Sequence, residues 1–320
     1  MSVVTLDDIQ AAAARVVGKV VRTPLLPAPW ADAGRPLLLK PENLQPTGAF
    51  KLRGATNKIV ALVATGDPPA GVITHSSGNH AQAVAAAARA AGLPAVVVMP
   101  DVALPLKVDA TRALGAEVVL VPPAERESRA AELAAERRLV MVPPYDDAAV
   151  IAGQGTIGLE IVADAPEVDL VLVPISGGGL ISGIAAALAN LRPRATVIGV
   201  EPELAADAAE SVRRRALVSW PPELTYRTAA DGLRVTRLGA LPWEHVQKYV
   251  ADIVTVSENE IRAAVRQLAT GSRLVAEPSG AVATAAYLFH ADALPAAHTT
   301  VAVVSGGNID PVQLAAILAE

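Results

Sequence analysis

Lys51 is the residue whose type and setting point most directly to covalent chemistry. It follows Phe50 and precedes Gly54 in the segment Asn43-Leu-Gln-Pro-Thr-Gly-Ala-Phe-Lys-Leu-Arg-Gly. A lysine beside an aromatic ring and glycine turns is partly desolvated, which lowers its pKa and frees its amine for Schiff-base formation. A lone lysine is more often a solvated charge, so its neighbours must decide. A second feature is Ser176-Gly177-Gly178-Gly179-Leu180, set between a buried apolar run and an apolar helix. Residues without side chains let successive backbone N–H groups approach an anion, and a helix start favours negative charge, so a phosphate site is expected here. The competing cause is a tight turn that merely needs glycine. A third feature, His75-Ser76-Ser77-Gly78-Asn79-His80-Ala81-Gln82, gathers hydroxyls, an amide and imidazoles at a helix start. Ser77 or Asn79 would cap that helix, and capping is compatible with carboxylate binding there.

Two familiar phosphate motifs can be compared with the glycine loop. A Walker loop ends in Gly-Lys-Ser or Gly-Lys-Thr, and neither tripeptide occurs. A dinucleotide fingerprint fares better, because Gly177 and Gly179 supply two of its glycines and Glu201 ends the next apolar run. Ser182 holds the third glycine position, which disturbs the close helix packing that glycine provides. A nicotinamide-dependent oxidoreductase is therefore the alternative from another enzyme class.

The elements that must position these loops are legible as short β-branched runs separated by alanine-rich stretches. The runs are 71–74, 95–99, 117–121, 139–142, 169–175, 196–200, 251–256 and 299–304. Continuous apolar runs of this length predict strands buried on both faces, joined by crossover helices, which is an α/β chain with largely parallel sheets. Three of the runs end in turn signals, HSSGN, SGGGL and SGGN, and ligands in such sheets bind outside the carboxyl ends of the strands. The stretch Val142-Pro-Pro-Tyr-Asp-Asp-Ala, before AGQGTIG, reads as a junction between two such units, with a cleft between them.

Composition narrows the function. The chain has 320 residues, 52% hydrophobic and 18% charged, enough for one large or two ordinary globular domains. Lys+Arg is 27 against Asp+Glu 32, net charge −5, with no dense basic run, which argues against nucleic acid and for a small anionic or zwitterionic ligand. Cysteine is absent, which removes disulfides, thiolate metal sites and a cysteine nucleophile, and predicts a cytoplasmic protein. Asp7 and Asp8 stand where an export signal would need positive charge. The most apolar stretch, 81–99, is broken by Gln82, Arg89, Gly92 and Pro94, short of the ~20 apolar residues of a membrane span.

Six motifs occur in one order: ENLQPTGAFKLRGA, HSSGNHAQAVA, VIAGQGTIGLEI, VPISGGGLISG, AEPSGA and SGGNID. Together they resemble the serine/threonine dehydratase family of fold-type II pyridoxal-phosphate enzymes, which includes serine racemases. The likeness runs from about Asp7 to Asp310 and implies the single-module form without a regulatory extension. It implies a tryptophan-synthase-β-like α/β fold: two open, twisted, largely parallel sheet domains with flanking helices and an active site in the interdomain cleft. Residues 1–62 and 148–320 are expected to form the large cofactor-binding domain and 63–147 the small mobile one. By the same resemblance Lys51 carries pyridoxal 5'-phosphate, Phe50 packs beside its ring, Asn79 hydrogen-bonds its phenolic oxygen, and Ser176, Gly177, Gly178, Gly179 and Leu180 take its phosphate. Most relatives have glycine at the position of Ser176. By the same resemblance Ser305 is expected to face the pyridine nitrogen. A neutral hydroxyl does not hold that nitrogen protonated, which weakens the electron sink and favours β-elimination over transamination.

The expected activity is dehydration of a β-hydroxy amino acid, L-threonine to 2-oxobutyrate and ammonia or L-serine to pyruvate and ammonia. The substrate carboxylate is expected among Ser76, Asn79 and His80. Ser77 matches the serine that faces the lysine across the cofactor in serine racemases, so racemisation and hydroxyaspartate dehydration stay open beside simple helix capping. Glu201, Ala205 and Asp207 resemble the divalent-cation site of racemase-like relatives. Two carboxylates, a carbonyl and waters would suit Mg²⁺, against the alternative of an exposed acidic helix start. A non-catalytic amino-acid sensor is a third class, disfavoured because Lys51 and Ser305 are both present. The resemblance also implies a homodimer.

Overall fold

The computed structural model describes residues 2–103 and 105–320. Among the described residues, ten strands form two sheets: β1 (Leu26–Pro27), β2 (Leu37–Pro41), β3 (Val72–His75), β4 (Ala95–Pro100), β5 (Glu117–Val121), β6 (Val140–Met141), β7 (Leu170–Pro174), β8 (Thr196–Pro202), β9 (Asp252–Val256) and β10 (Thr300–Val304). The larger sheet runs β1-β2-β10-β7-β8-β9 and the smaller β5-β4-β3-β6. All neighbours are parallel except the β1–β2 edge pair.

Strand periodicity explains why the central runs read as continuously apolar. Along β7 and β10, Leu170, Leu172, Ala302 and Val304 face one layer, where the helix Pro278–Phe289 packs. The alternate residues Val171, Val173, Val301 and Val303 face the other, against the helix Gly179–Leu191. A period of two with both faces covered requires an apolar residue at every position. The smaller sheet repeats this, with Val97 and Met99 on one face and Val96 and Val98 on the other.

All eight expected runs are strands. β1 and β2 are additions. β2 reads Leu-Leu-Leu-Lys-Pro, with no β-branched residue, and becomes a strand because β10 pairs with it from Thr300↔Leu37 to Val304↔Pro41.

The segment AGQGTIG lies inside the helix Ala148–Asp164, where its glycines are helix contacts. A Cβ on Gly153 would lie 2.7 Å from the Arg53 carbonyl oxygen, and one on Gly183 would lie 2.4 Å from the Gly155 nitrogen. One glycine-rich helix thus packs at backbone distance against both the helix Lys51–Val63 and the helix that follows the glycine loop. This shared contact fixes the two halves of the site relative to each other. Among the described residues no helix is long and apolar enough to cross a membrane.

Candidate active site

Each loop expected to carry chemistry follows the carboxyl end of a parallel strand: Ser76–Gly78 after β3, Ile175–Gly178 after β7, and Ser305–Asp310 after β10. Lys51 opens the helix that follows β2 after the connection 42–50, and its neighbourhood is stitched to the last loop. The Phe50 N–H donates to the Ser305 carbonyl at 3.0 Å and the Gly307 N–H to the Gly48 carbonyl at 2.9 Å. Ser305 itself is buried, and its hydroxyl donates to the Ser279 carbonyl at 3.4 Å.

Lys51 is half-buried, with Nζ 5.0 Å from the Phe50 ring centroid and donating to the Pro144 carbonyl oxygen at 2.7 Å. No carboxylate within the described residues pairs with it. Burial pulls its pKa down to about 8. The next residue along, Tyr145, lies on the glycine loop: a Cβ on Gly177 would come 2.4 Å from its ring, and one on Gly179 would come 2.9 Å from its Cα. The dipeptide Pro144-Tyr145 therefore joins the amine to the loop. Gly178 has φ +92°, a left-handed conformation that favours glycine. The turn needs its glycine at 178, and the N–H groups around it stay open. Among the described residues, the N–H groups of Gly177, Gly178, Gly179, Leu180 and Ile181 find no acceptor, at the N-terminus of a 13-residue helix. Such a row of donors is suited to a phosphate dianion. Ser176 accepts the Val235 N–H on its hydroxyl at 3.2 Å.

Gly177→Ala must therefore displace Tyr145. By the expected anion-binding role of this loop, the change weakens retention of a phosphate-bearing ligand about tenfold or more, about the loss of one hydrogen bond to a charged group, as measured by dialysis against ligand-free buffer. Retention at the wild-type level would show that the loop tolerates a side chain.

At the third loop the helix Asn79–Ala90 begins at Gly78 without any side-chain cap, so neither Ser77 nor Asn79 serves as one. Ser76 Oγ accepts the Gly78 N–H at 3.3 Å, and among the described residues the N–H groups of Asn79 and His80 donate to no acceptor. The His80 ring is buried, with Nε2 against the Val142 carbonyl at 2.9 Å and Nδ1 unpartnered. Burial and the nearby Lys51 push its pKa down to about 3, so the ring is neutral, Nε2–H is its donor, and Nδ1 is an acceptor. What His80 offers an anion is its main-chain N–H. The Asn79 amide is held on both ends, Nδ2 donating to Glu277 at 2.6 Å and Oδ1 accepting from Asn308 at 2.8 Å.

Glu201 and Asp207 are fully buried, which removes the reading of an exposed acidic helix start. Glu201 accepts the Ala208 and Ala209 N–H groups at 3.2 and 3.0 Å, and it is buried rather than presented at the glycine loop's mouth. Both oxygens of Asp207 are buried without a partner, and burial pushes its pKa up to about 7. Ala205 is buried beside them in sequence. Among the described residues no group of three acidic or imidazole side chains is placed to hold a metal, so a cation here would need the main-chain carbonyl and waters.

Sequence reasoning left out Pro144, Tyr145, Glu277 and Asn308 as site residues. Glu277 and Asn308 lie within motifs already noted, AEPSGA and SGGNID, but nothing local in those strings shows that either side chain reaches Asn79.

A family model described as pyridoxal-phosphate dependent enzyme matches residues 16–306. The L-threonine ammonia-lyase of Thermotoga maritima is 43% identical over 313 residues, covering 96% of this chain and 76% of its own length. The crystal structure of a threonine deaminase from T.th. superposes with TM-score 0.90 at 43% identity, covering 96% of this chain and 99% of that one. Maize serine racemase does so with TM-score 0.93 at 36% identity, covering 99% and 98%.

Proposed function

This chain belongs to the family of pyridoxal-phosphate-dependent enzymes, and from that premise we propose that it is a lyase converting L-threonine to 2-oxobutyrate and ammonia and L-serine to pyruvate and ammonia. The observation that carries this reading is an amine buried without a carboxylate, joined through Pro144-Tyr145 to a helix start whose N–H groups are open. These residues fit the cofactor: Lys51 for its aldehyde, the 176–180 loop for its phosphate, Ser305 for its ring nitrogen and Phe50 beside its ring. When bound, pyridoxal phosphate supplies the electron sink for charge developing at the substrate α-carbon.

The rest falls to the chain's own groups. The open helix start at Asn79, with Ser76 and the main-chain N–H groups of Asn79 and His80, receives the substrate carboxylate. Lys51 Nζ, held on the Pro144 carbonyl, takes the α-proton, and proximity of this kind is worth up to ~7–11 kcal/mol of barrier. Ser305, neutral and engaged with a main-chain carbonyl, leaves the ring nitrogen unprotonated, so loss of the β-hydroxyl is favoured over transamination. The enamine released in water tautomerises and hydrolyses to the 2-oxo acid and ammonia. The Ser77 hydroxyl does not cap the helix, which supports a second proton-transfer role and racemisation as a side activity.

The test is a panel of L- and D-serine, L- and D-threonine and 3-hydroxyaspartate, with 2-oxo acid, ammonia and enantiomer read together. The expected result is a yellow protein that releases 2-oxo acid and ammonia in equal amounts from the L-substrates. Racemisation faster than 2-oxo acid release would make it a racemase. A protein that stays colourless with added cofactor would refute the reading.

The same reading places Mg²⁺ or a similar cation on Glu201, Asp207 and the Ala205 carbonyl, supported by the unpartnered oxygens of Asp207. Added Mg²⁺ is expected to raise the midpoint of thermal unfolding, and Asp207→Asn to abolish that rise. An equal rise in both proteins would remove the site. A cytoplasmic homodimer acting on a small amino acid completes the reading, with residues 63–147 as a lobe closing over the cleft. An ion pair between Lys107 and Asp231 supports closure, because it joins the helix Pro105–Ala113 to a turn of the larger sheet's side.

A further inference from the structure

The amide of Asn79 has opposite hydrogen-bonding character at its two ends, and one chain of contacts settles which end is left over. The chain starts from the Thr47 main-chain carbonyl, which can only accept. Asn308 Nδ2 donates to it at 2.8 Å and gives its other hydrogen to Asn79 Oδ1 at 2.8 Å. Both hydrogens of that nitrogen are then used, so the Asn308 amide cannot turn over without losing two bonds. Asn79 Nδ2 in turn donates one hydrogen to Glu277 Oε1 at 2.6 Å, which leaves it a single free N–H. Glu277 is buried and its own N–H donates to the Gly306 carbonyl at 3.1 Å. A Cβ on Gly306 would lie 2.3 Å from Glu277 Oε1 and 3.1 Å from Asn79 Nδ2, so the residue after Ser305 must be small for this pair to exist beside the ring-nitrogen site. The clamp joins the two sheets' sides: Asn79 stands on the smaller sheet's side, Glu277 and Asn308 on the larger sheet's side.

We propose that Glu277 and Asn308 are positioning residues that lock the Asn79 amide so that its remaining N–H, and not its oxygen, meets the phenolic oxygen of the cofactor. This rests on the cofactor reading above. A donor at that place stabilises the phenolic oxygen as an anion, whereas a flipped amide would set two acceptors against each other. Burial and the nearby Asp231 push the Glu277 carboxyl up to about 7, and in either protonation state it retains an oxygen that accepts from Asn79.

The experiment is the visible absorption spectrum of the cofactor-loaded protein at one fixed pH, for wild type, Asn308→Asp, Glu277→Leu and Glu277→Gln, with the unfolding midpoint of each. Asn308→Asp replaces the donor to Asn79 with an acceptor. It and Glu277→Leu are expected to lower the ratio of the long- to the short-wavelength band about tenfold, the worth of one hydrogen bond to a charged oxygen. Glu277→Gln keeps an accepting oxygen and is expected to stay within about twofold of wild type. A lowered midpoint with an unchanged ratio in Asn308→Asp, or Glu277→Gln as impaired as Glu277→Leu, would overturn the proposal. Asn308→Ala, which removes the donor without adding charge, reads the same ratio if Asn308→Asp does not fold. A wild-type protein with no visible band would overturn the cofactor reading itself, and the clamp with it.

Discussion

Lys51→Ala is expected to abolish turnover, a loss of about 10⁴-fold or more, because both covalent attachment of the cofactor and proton removal rest on one amine. The cofactor should then leave on dialysis and the yellow colour with it. Residual activity within about tenfold of wild type would mean that another group takes the α-proton. The pH behaviour follows from burial of this amine, which moves its pKa from 10.5 to about 8. At pH 7 about a tenth of the amine is then neutral, against roughly three in ten thousand for an ordinary lysine. In protein stripped of cofactor, the rate of reattachment should rise with pH and level off above about 8. The same burial acts on stability. The unfolded chain holds the proton more tightly, so the cost of ~3 kcal/mol is fully present below pH 8 and is relieved as pH rises towards 10.5. Stripped Lys51→Met should therefore unfold at a higher temperature than stripped wild type at pH 7, by an amount that shrinks as pH is raised. An unchanged midpoint would show that water or movement already relieves the buried charge.

Arg53→Met is expected to destabilise the protein by about 3–5 kcal/mol, because it leaves two carboxylates facing each other in the core with Lys40 alone to offset them. Arg53 is fully buried, two residues after Lys51 in the first turn of the same helix. Its guanidinium meets Glu42 at 2.7 and 2.8 Å and Glu160 at 2.6 and 2.8 Å. Lys40 Nζ also pairs with Glu160 and donates to the Thr23 carbonyl at 2.6 Å. Burial pushes the Glu42 carboxyl up, but the Arg53 guanidinium outweighs it and holds the group below its ordinary value. The contribution of Glu42 is therefore present above the ordinary value of 4.5 and is lost as pH falls through the lower folded value. Arg53→Lys should recover only part of the loss, since an ammonium cannot form both two-pronged contacts. Arg53→Met with Glu42→Gln should unfold later than Arg53→Met alone, because one stranded charge is gone. A thermal midpoint for Arg53→Met equal to that of wild type would show the network to be dispensable.

The larger sheet shows where sequence patterning stops being informative. Val171 and Val173, or Val301 and Val303, announce strands because a β-branched run covered on both faces has few other uses. Leu37 and Leu39 are as buried without that signature, and only pairing with β10 makes their segment a strand. The glycines of AGQGTIG, which follow the junction stretch, lie inside a helix, and a string alone cannot distinguish a glycine that serves a turn from one that serves a helix contact.

Which residues could react was already written in local patterns along the chain. A lysine after an aromatic, three glycines before an apolar helix, and Ser-Ser-Gly-Asn at a helix start are such patterns, and each lies at the carboxyl end of a strand. How those residues are held came from contacts between distant segments. Asn79 meets Glu277 across 198 positions, Arg53 meets Glu160 across 107, and Lys51 meets the Pro144 carbonyl across 93. The physical reason is that a buried polar group must find its partner in space or bear the full cost of leaving water, and the folded topology, not neighbourhood along the chain, sets which partner is within reach.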